Sequence, residues 1–385
     1  MTKIDNFYCS NKFKYLKVDI EKGMTLNCHA STAQPINFTT LQHDSDELFN
    51  SEFMHMERHM MLNNKRTDTC HDNCWSLEEQ GIESVRMRDG GMAKTHESTQ
   101  QAPEILEIIV NTQCSLSCIY CCKEFSSAWR NDIIKGGTYQ TDDTDRYTLS
   151  VTDLLLNKTP KKYKTARQDA IIDSITQYIK SPTLKRLQIT GGEPLLDKNF
   201  YKFFTDVSNN VQVEIHTGLG ISINMLERIL NKLDTSLDIK FIVSAETMDK
   251  FYEFVRYGSK WEEFVEKINL IKHHGFDITL HSTLSNISVI DFSNFLTFFN
   301  EYDITHCFLA VPNYLAVNVL DTQTKDVIND SLCGTKWQNI IDAIAVEPTE
   351  YQREQCSRYI PEFANRRDMD LDLLPKSFKS WLRLN

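Results

Sequence analysis

The sequence predicts an α/β fold, parallel βα units curling into a barrel or an open barrel, with an α+β module before it and a helical tail after it. Three observations carry this prediction. Six short apolar runs between residues 105 and 311 alternate with segments whose apolar residues recur every three or four positions. Four cysteines, in two pairs, fall within the first 74 residues. Residues 84–103 are polar, turn-rich and non-periodic, the composition of a linker. The expected domains are therefore 1–103, 104–318 and 319–385.

In the first segment, 13–28 reads as a hairpin. Leu16, Val18 and Ile20 alternate, Glu21-Lys22-Gly23 turns, and Met24, Leu26 and Cys28 alternate again. Its pairing would bring Cys9 near Cys28. A helix is expected at 45–62, with Phe49, Phe53, Met56 and Met60 on one face. The stretch CHDNCW then sets Cys70 and Cys74 four residues apart, and a short acidic helix over 75–80 ends at Gly81. Two cysteine pairs suit a four-thiolate site. Zinc and a 4Fe-4S cluster both accept such a set, and spacing leaves both open. His55 and His59 stand at i and i+4, but no third ligand is near, so they read as a packed or solvated helix pair.

The barrel begins with ILEIIV at 105–110, continuous as buried parallel strands are. Further strands are expected at 185–190, 211–216, 238–244, 277–283 and 305–311. Helical stripes lie between them: Ile171, Ile175, Tyr178 and Ile179; Phe200, Phe203, Phe204 and Val207; Leu226, Ile229, Leu230 and Leu233; Phe264, Ile268 and Ile271; Phe292, Phe295, Leu296 and Phe299. The lysine-rich piece KTPKKYKTAR in the long loop 111–166 reads as a solvated surface insertion. In the tail, Trp337, Ile340, Ile341 and Ile344 make one stripe, and TEYQREQCSRYIPEF leads into another helix. Chemistry in such folds sits on the loops after the strands.

The first of those loops is NTQCSLSCIYCC. Cys114, Cys118 and Cys121 follow a Cys-x₃-Cys-x₂-Cys spacing. Three thiolates on one short loop can wrap a cubane cluster and leave one of its four irons open, the logic of a catalytic metal with a vacant position. Cys122 reads as a spare thiol. The second strand runs into Thr190-Gly191-Gly192-Glu193-Pro194, where two glycines allow a tight turn and a close ligand approach, and Glu193 offers a carboxylate to an ammonium group.

With these motifs the chain resembles the radical S-adenosylmethionine (radical SAM) enzymes over residues 104 to about 315. The resemblance implies a partial (βα)₆ TIM-like barrel and a 4Fe-4S cluster on Cys114, Cys118 and Cys121, with the amino and carboxylate groups of SAM on the open iron. The Gly191–Gly192 backbone and Glu193 would hold the amino group. Reductive cleavage of the sulfonium would yield a 5′-deoxyadenosyl radical that takes hydrogen from substrate. By position, Ser244 and Glu246 resemble the family's ribose-binding pair. Asn286 and Val311 occupy places that touch ribose carboxylate or adenine, and Tyr120 would meet adenine through its backbone. The opening Cys9…Gly23…Cys28 is similar to the twitch and SPASM modules, with Cys70 and Cys74 completing the ligands of a second, auxiliary 4Fe-4S cluster. Those modules usually follow the barrel; here the matching residues precede it. Full cysteine ligation would point to electron transfer or structure, the cluster accepting the electron left after hydrogen abstraction. A missing ligand would point to direct substrate binding.

The rest of the composition bounds the setting. With 41% hydrophobic and 25% charged residues and a net charge of −11, the chain offers no basic field for a nucleic acid. No run is long enough for a membrane span, and the N-terminus lacks the apolar stretch of a secretion signal. A cytoplasmic location is expected, where eleven cysteines stay reduced and grouped ones serve as metal ligands. The expected partners are a flavodoxin- or ferredoxin-like electron donor and a peptide or small-molecule substrate. Two rival readings are a carboxydeazaguanine-synthase-like rearrangement enzyme, which usually lacks a twitch module, and a non-catalytic zinc-binding scaffold.

Overall fold

The computed structural model describes residues 6–28, 32–79, 84–149 and 161–384; the helix end expected at Gly81 lies outside them. Its strands are β1 (Tyr15–Asp19), β2 (Met24–Leu26), β3 (Gln34–Pro35), β4 (Ile105–Ile109), β5 (Ser117–Cys118), β6 (Arg186–Thr190), β7 (Gln212–Thr217), β8 (Asp238–Ser244), β9 (Arg256–Tyr257), β10 (Asp277–Leu284) and β11 (Asp303–Phe308). The six expected barrel strands are β4, β6, β7, β8, β10 and β11. The chain divides into two compact units, each discontinuous in sequence.

The first unit comprises Met1–Asn111, Thr159–Ile215 and Asp234–Ile239. Its strands lie in the order β7-β6-β4-β1-β2-β3. β4 pairs in parallel with β6, and β6 with β7. The expected hairpin forms, with Lys17 opposite Leu26 and Val18 opposite Thr25. Its first strand also pairs in parallel with β4, Tyr15 opposite Ile105 and Asp19 opposite Ile109. The alternation of β1 explains this double use. Leu16 and Val18 are fully buried. Tyr15 and Lys17 point to the other face and reach Glu107 of β4, the Tyr15 hydroxyl donating at 2.6 Å and the Lys17 ammonium lying at 2.8 Å. Gln188 of β6 has its Oε1 2.8 Å from the same hydroxyl and donates to Glu214 of β7 at 2.7 Å, so a polar row runs across one face of four adjacent strands.

Four local expectations need correction in this unit. The helix expected at 45–62 is two helices, Glu47–Asn50 and Glu52–Leu62, divided at Ser51, whose hydroxyl caps the second. The buried face of the longer one is Met54, Glu57, Arg58 and Met61, while Met56 is exposed. Charge burial decides this: Glu57 pairs with Lys12 at 2.6 Å, and Arg58 donates to the carbonyls of Lys12 and Phe49. Residues 84–103 are no free linker. Ser84 caps a helix Val85–Arg88, Arg86 is buried against Glu78 and over the Trp75 ring, and His96 stacks on Phe13. The lysine-rich piece, from residue 161 onward, is the start of the helix Lys161–Ile179. Around 200–207, only a 3₁₀ turn at Phe200–Phe204 forms.

The second unit comprises Thr112–Lys158, His216–Leu233 and Lys240–Asn385. β8, β10 and β11 pair in parallel, with His281 opposite both Ser244 and Thr305. A two-residue antiparallel ribbon joins β5 to β9. The expected stripes appear as the helices Ile223–Leu230, Trp261–His273, Phe292–Phe298 and Gln338–Ala345. The tail includes the helix Glu350–Asn365, opened by a capping box at Thr349 and Gln352, and a later helix Lys376–Trp381. The last barrel strand stops at Phe308, so Val311 lies beyond it and is 58% exposed. Among the described residues, no helix is long and apolar enough to cross a membrane.

Candidate functional site

The glycine turn belongs to the first unit. β4 and β6 end side by side, and the amide of Val110 donates to the Thr190 carbonyl at 3.0 Å. Gly191 follows with φ +149°, and a Cβ there would stand 2.8 Å from the Asn111 carbonyl oxygen. Gly192 donates to that same oxygen at 2.8 Å. A side chain at 191 would therefore meet backbone, which explains the glycine in physical terms. Glu193 is fully buried and caps the turn Pro194–Leu196, its Oε1 accepting from the Leu195 amide at 3.3 Å.

The thiol loop belongs to the second unit. Cys118 is buried, while Cys114 and Cys121 are half-buried. Burial, then the neighbouring thiols of Cys118, Cys122 and Cys114, pushes the Cys121 thiol well up, so these sulfurs stand within electrostatic reach of one another. Four successive carbonyls of the loop accept side-chain hydrogen bonds. Trp129 Nε1 donates to Cys118 at 2.9 Å, Tyr359 to Ile119 at 2.5 Å, Arg146 to Tyr120 at 3.1 Å and Tyr147 to Cys121 at 3.3 Å. The donors come from three helices, one of them the tail helix Glu350–Asn365. With its carbonyls held from behind, the loop presents its sulfurs in a fixed frame, as a metal-ligating loop requires. Cys122 is 1% exposed, and burial raises its thiol to about 12, so it stays a packed thiol.

Of the softer assignments, Tyr120 and Glu246 meet directly. Ser244 ends β8 in register with His281. Glu246 is fully buried, with its carboxylate on Arg256 at 2.7 Å and on the Tyr120 hydroxyl at 3.0 Å. Asn286 is also fully buried. Its amide donates to the Val319 carbonyl and to Cys356 Sγ, and its Oδ1 has no partner among the described residues. Val311 lies past the end of β11 and is exposed. Sequence reading missed His281, which burial and then His216, Arg256 and His306 hold down at about 4, a neutral imidazole at ordinary pH. It missed Arg256, Trp129, Arg146, Tyr147 and Tyr359 as well. Only the geometry finds them, because each acts on backbone or side chains distant in sequence.

The four N-terminal cysteines come together in the first unit. Cys9, Cys28, Cys70 and Cys74 line one small pocket with Asn11, Lys12, Asn27 and Arg86. Burial and the Cys70 thiol raise Cys9 to about 12, with a smaller push from Cys74. Asn27 is buried there, and its Oδ1 has no partner among the described residues. Among those residues, no three Cys, His, Asp or Glu side chains converge closely enough to share one ion. The cavity sits at the N-terminal end of β1: Cys9 precedes Tyr15 by six residues, and Asn27 Nδ2 donates to the Lys12 carbonyl at 3.1 Å. Gly191 lies past the C-terminal end of β6. The strands between them advance by four residue steps, roughly 13 Å at 3.3 Å each.

Residues 108–298 match the radical SAM superfamily. The chain carries a radical SAM domain. That domain spans the end of β4, the thiol loop, the glycine turn, β5 through β10 and the Glu246–Arg256 pair. Solved structures that resemble the chain include anSMEcpe with bound AdoMet, at 9% identity and a TM-score of 0.34 over 52% of this chain and 50% of that one. SuiB from Streptococcus suis bound to the precursor peptide SuiA gives 13% and 0.33 over 90% and 77%. TYW1 with a lysine-pyruvate adduct gives 14% and 0.32 over 71% and 80%. The chain spans about half the length of the first of these. No curated protein matches the chain.

Proposed function

We propose that this chain is an enzyme that cleaves SAM reductively at a 4Fe-4S cluster on Cys114, Cys118 and Cys121, and takes hydrogen from a peptide or small-metabolite substrate. The observation that carries the reading is the thiol loop: three cysteines within a matched radical SAM domain, on a backbone fixed by four side-chain donors. The cluster supplies the electron that breaks the sulfonium bond. The protein's part is position. The Gly191–Gly192 backbone leaves room for the amino group of SAM, and Glu193 supplies the acceptor for it. A flavodoxin- or ferredoxin-like protein is the electron donor.

The cysteines 9, 28, 70 and 74 hold a second 4Fe-4S cluster in this reading. Four thiols on one cavity support full protein ligation, which leaves no open iron for substrate. The position of that cavity, at the end of the first unit's sheet opposite the glycine turn, favours a structural or electron-transfer role over substrate binding.

Anaerobic reconstitution tests both clusters. The expected protein carries about eight irons and about eight sulfides, two cubanes' worth, and converts SAM to 5′-deoxyadenosine with dithionite. Replacing Cys114, Cys118 and Cys121 by alanine is expected to halve the iron and abolish the cleavage. Zinc without sulfide would instead establish the scaffold reading, and about four irons in the unaltered protein would remove the second cluster.

A further inference from the structure

Arg256 is 3% exposed, in the second unit, on the short strand β9 that pairs with the strand carrying Cys118. The register sets Arg256 directly opposite Cys118, and the Ile119 amide extends the ribbon by donating to the Val255 carbonyl at 2.8 Å. Close approach of the two strands is built in at Gly258, with φ +102°, where a Cβ would lie 2.9 Å from the Ser115 carbonyl oxygen. Three partners then fix the guanidinium. Nη1 donates to Cys118 Sγ at 3.8 Å, and Nη2 donates to the Tyr120 hydroxyl at 2.6 Å and to Glu246 at 2.7 Å. The Tyr120 hydroxyl donates to the other Glu246 oxygen at 3.0 Å, closing the network.

A buried ion pair is weak evidence for stability, since desolvation of both charges offsets their attraction. This pair has a further contact that a purely structural one would not need, a hydrogen bond from the cation to a thiol of the metal-ligating trio. Hydrogen bonds to the sulfurs and nearby charge are the protein's means of setting a cluster's potential. Each thiolate brings negative charge to this buried loop, and reduction adds one more. A fixed cation at one sulfur stabilises the reduced form more than the oxidised form. Glu246, on the far side of the same guanidinium, partly cancels that cation.

Resting on the proposed cluster at Cys114, Cys118 and Cys121, we propose that Arg256 is a positioning residue that raises the reduction potential of that cluster through Cys118, with Glu246 as the counterweight. Two variants, read by EPR-monitored redox titration of reconstituted protein without SAM, test it. Arg256→Gln keeps a donor and removes the charge. It is expected to lower the reduced-to-oxidised ratio at a fixed potential roughly tenfold, a shift of about 59 mV for a one-electron couple. Glu246→Gln removes the counterweight and is expected to shift the midpoint the other way. Arg256→Lys, which keeps the charge, should recover much of the arginine potential. Unaltered midpoints in Arg256→Gln and Glu246→Gln, with iron content retained, would overturn the proposal. Should Arg256→Gln fail to hold iron, the sign of the Glu246→Gln shift decides alone: a positive shift supports the role, and none or a negative one removes it. Failure of the unaltered protein to bind a cluster on the trio would instead count against the proposed function.

Discussion

At the scale of single residues, Gly191 is the position where sequence and geometry constrain each other most tightly. Its φ of +149° and the 2.8 Å approach of a would-be Cβ to the Asn111 carbonyl leave no room for a side chain. Asn111 cannot give way easily, because its side-chain amide is bonded to Asp197 and its carbonyl accepts from Gly192. Gly191→Ala is therefore expected to cost about 2 kcal/mol, from backbone strain plus overlap. A lower urea midpoint, followed through Trp75 fluorescence, together with weaker SAM binding by calorimetry, would bear this out; an unchanged midpoint and affinity would count against it. This residue was legible in the sequence because a Gly-Gly pair at a strand end has few other uses. Cys114, Cys118 and Cys121, and Cys70 with Cys74, stood out in the sequence by their short spacings, whereas only the structure brings Cys9, Cys28, Cys70 and Cys74 to one pocket. Arg256 was not legible. Its partners Cys118, Tyr120 and Glu246 lie 10 to 138 positions away, and nothing in the period of residues 249–261 sets it apart.

At the scale of elements, the tail helix Glu350–Asn365 does more than its amphipathic pattern indicates. Tyr359 is fully buried and donates to the Ile119 carbonyl in the middle of the thiol loop. It also packs against Tyr139, Tyr147, Tyr314 and Phe363 at ring-centroid distances of 5.4 to 6.0 Å. Tyr359→Phe keeps the packing and leaves that buried carbonyl without its donor, a loss of about 1–3 kcal/mol. The expected result is a lower unfolding midpoint and faster loss of iron from the loop to a chelator, with the potential little changed. Unaltered chelation kinetics would show that the loop does not depend on this donor. Stripe patterns indicated that such a helix exists, and hydrophobic periodicity could do no more, because the contact depends on a hydroxyl. The segment 84–103 illustrates the opposite limit. Its composition matched a linker, yet buried Arg86 and stacked His96 pin it, and polar residues held by specific partners have no period to detect.

At the scale of the molecule, the six alternating strands and helices were legible because buried parallel strands and helical stripes follow different periods. The addition of β1 beside β4 was not, since a strand's alternation fixes which residues face the core but not which neighbour it takes. The four-cysteine cavity stands at the far end of the first unit's sheet from Gly191. Replacing Cys9, Cys28, Cys70 and Cys74 together by serine is therefore expected to remove about half of the iron and to destabilise the first unit, while uncoupled cleavage of SAM with dithionite persists within about threefold. The last figure assumes an ordinary distant-site effect of well under 1 kcal/mol. Iron analysis and 5′-deoxyadenosine yield check this, and complete loss of cleavage in a folded variant would tie the two sites together.

The pairing of Tyr15 with Ile105 spans ninety positions of the chain. Closing so large a loop carries an entropic cost before any contact repays it, and non-local strand pairing slows folding. All four thiols of the cavity are synthesised before β4 emerges, and Cys9 and Cys28 flank the strand that must wait for it. If the proposed cluster forms there, its capture by those thiols would shorten the effective loop, and iron supply during synthesis would then affect how quickly this sheet closes.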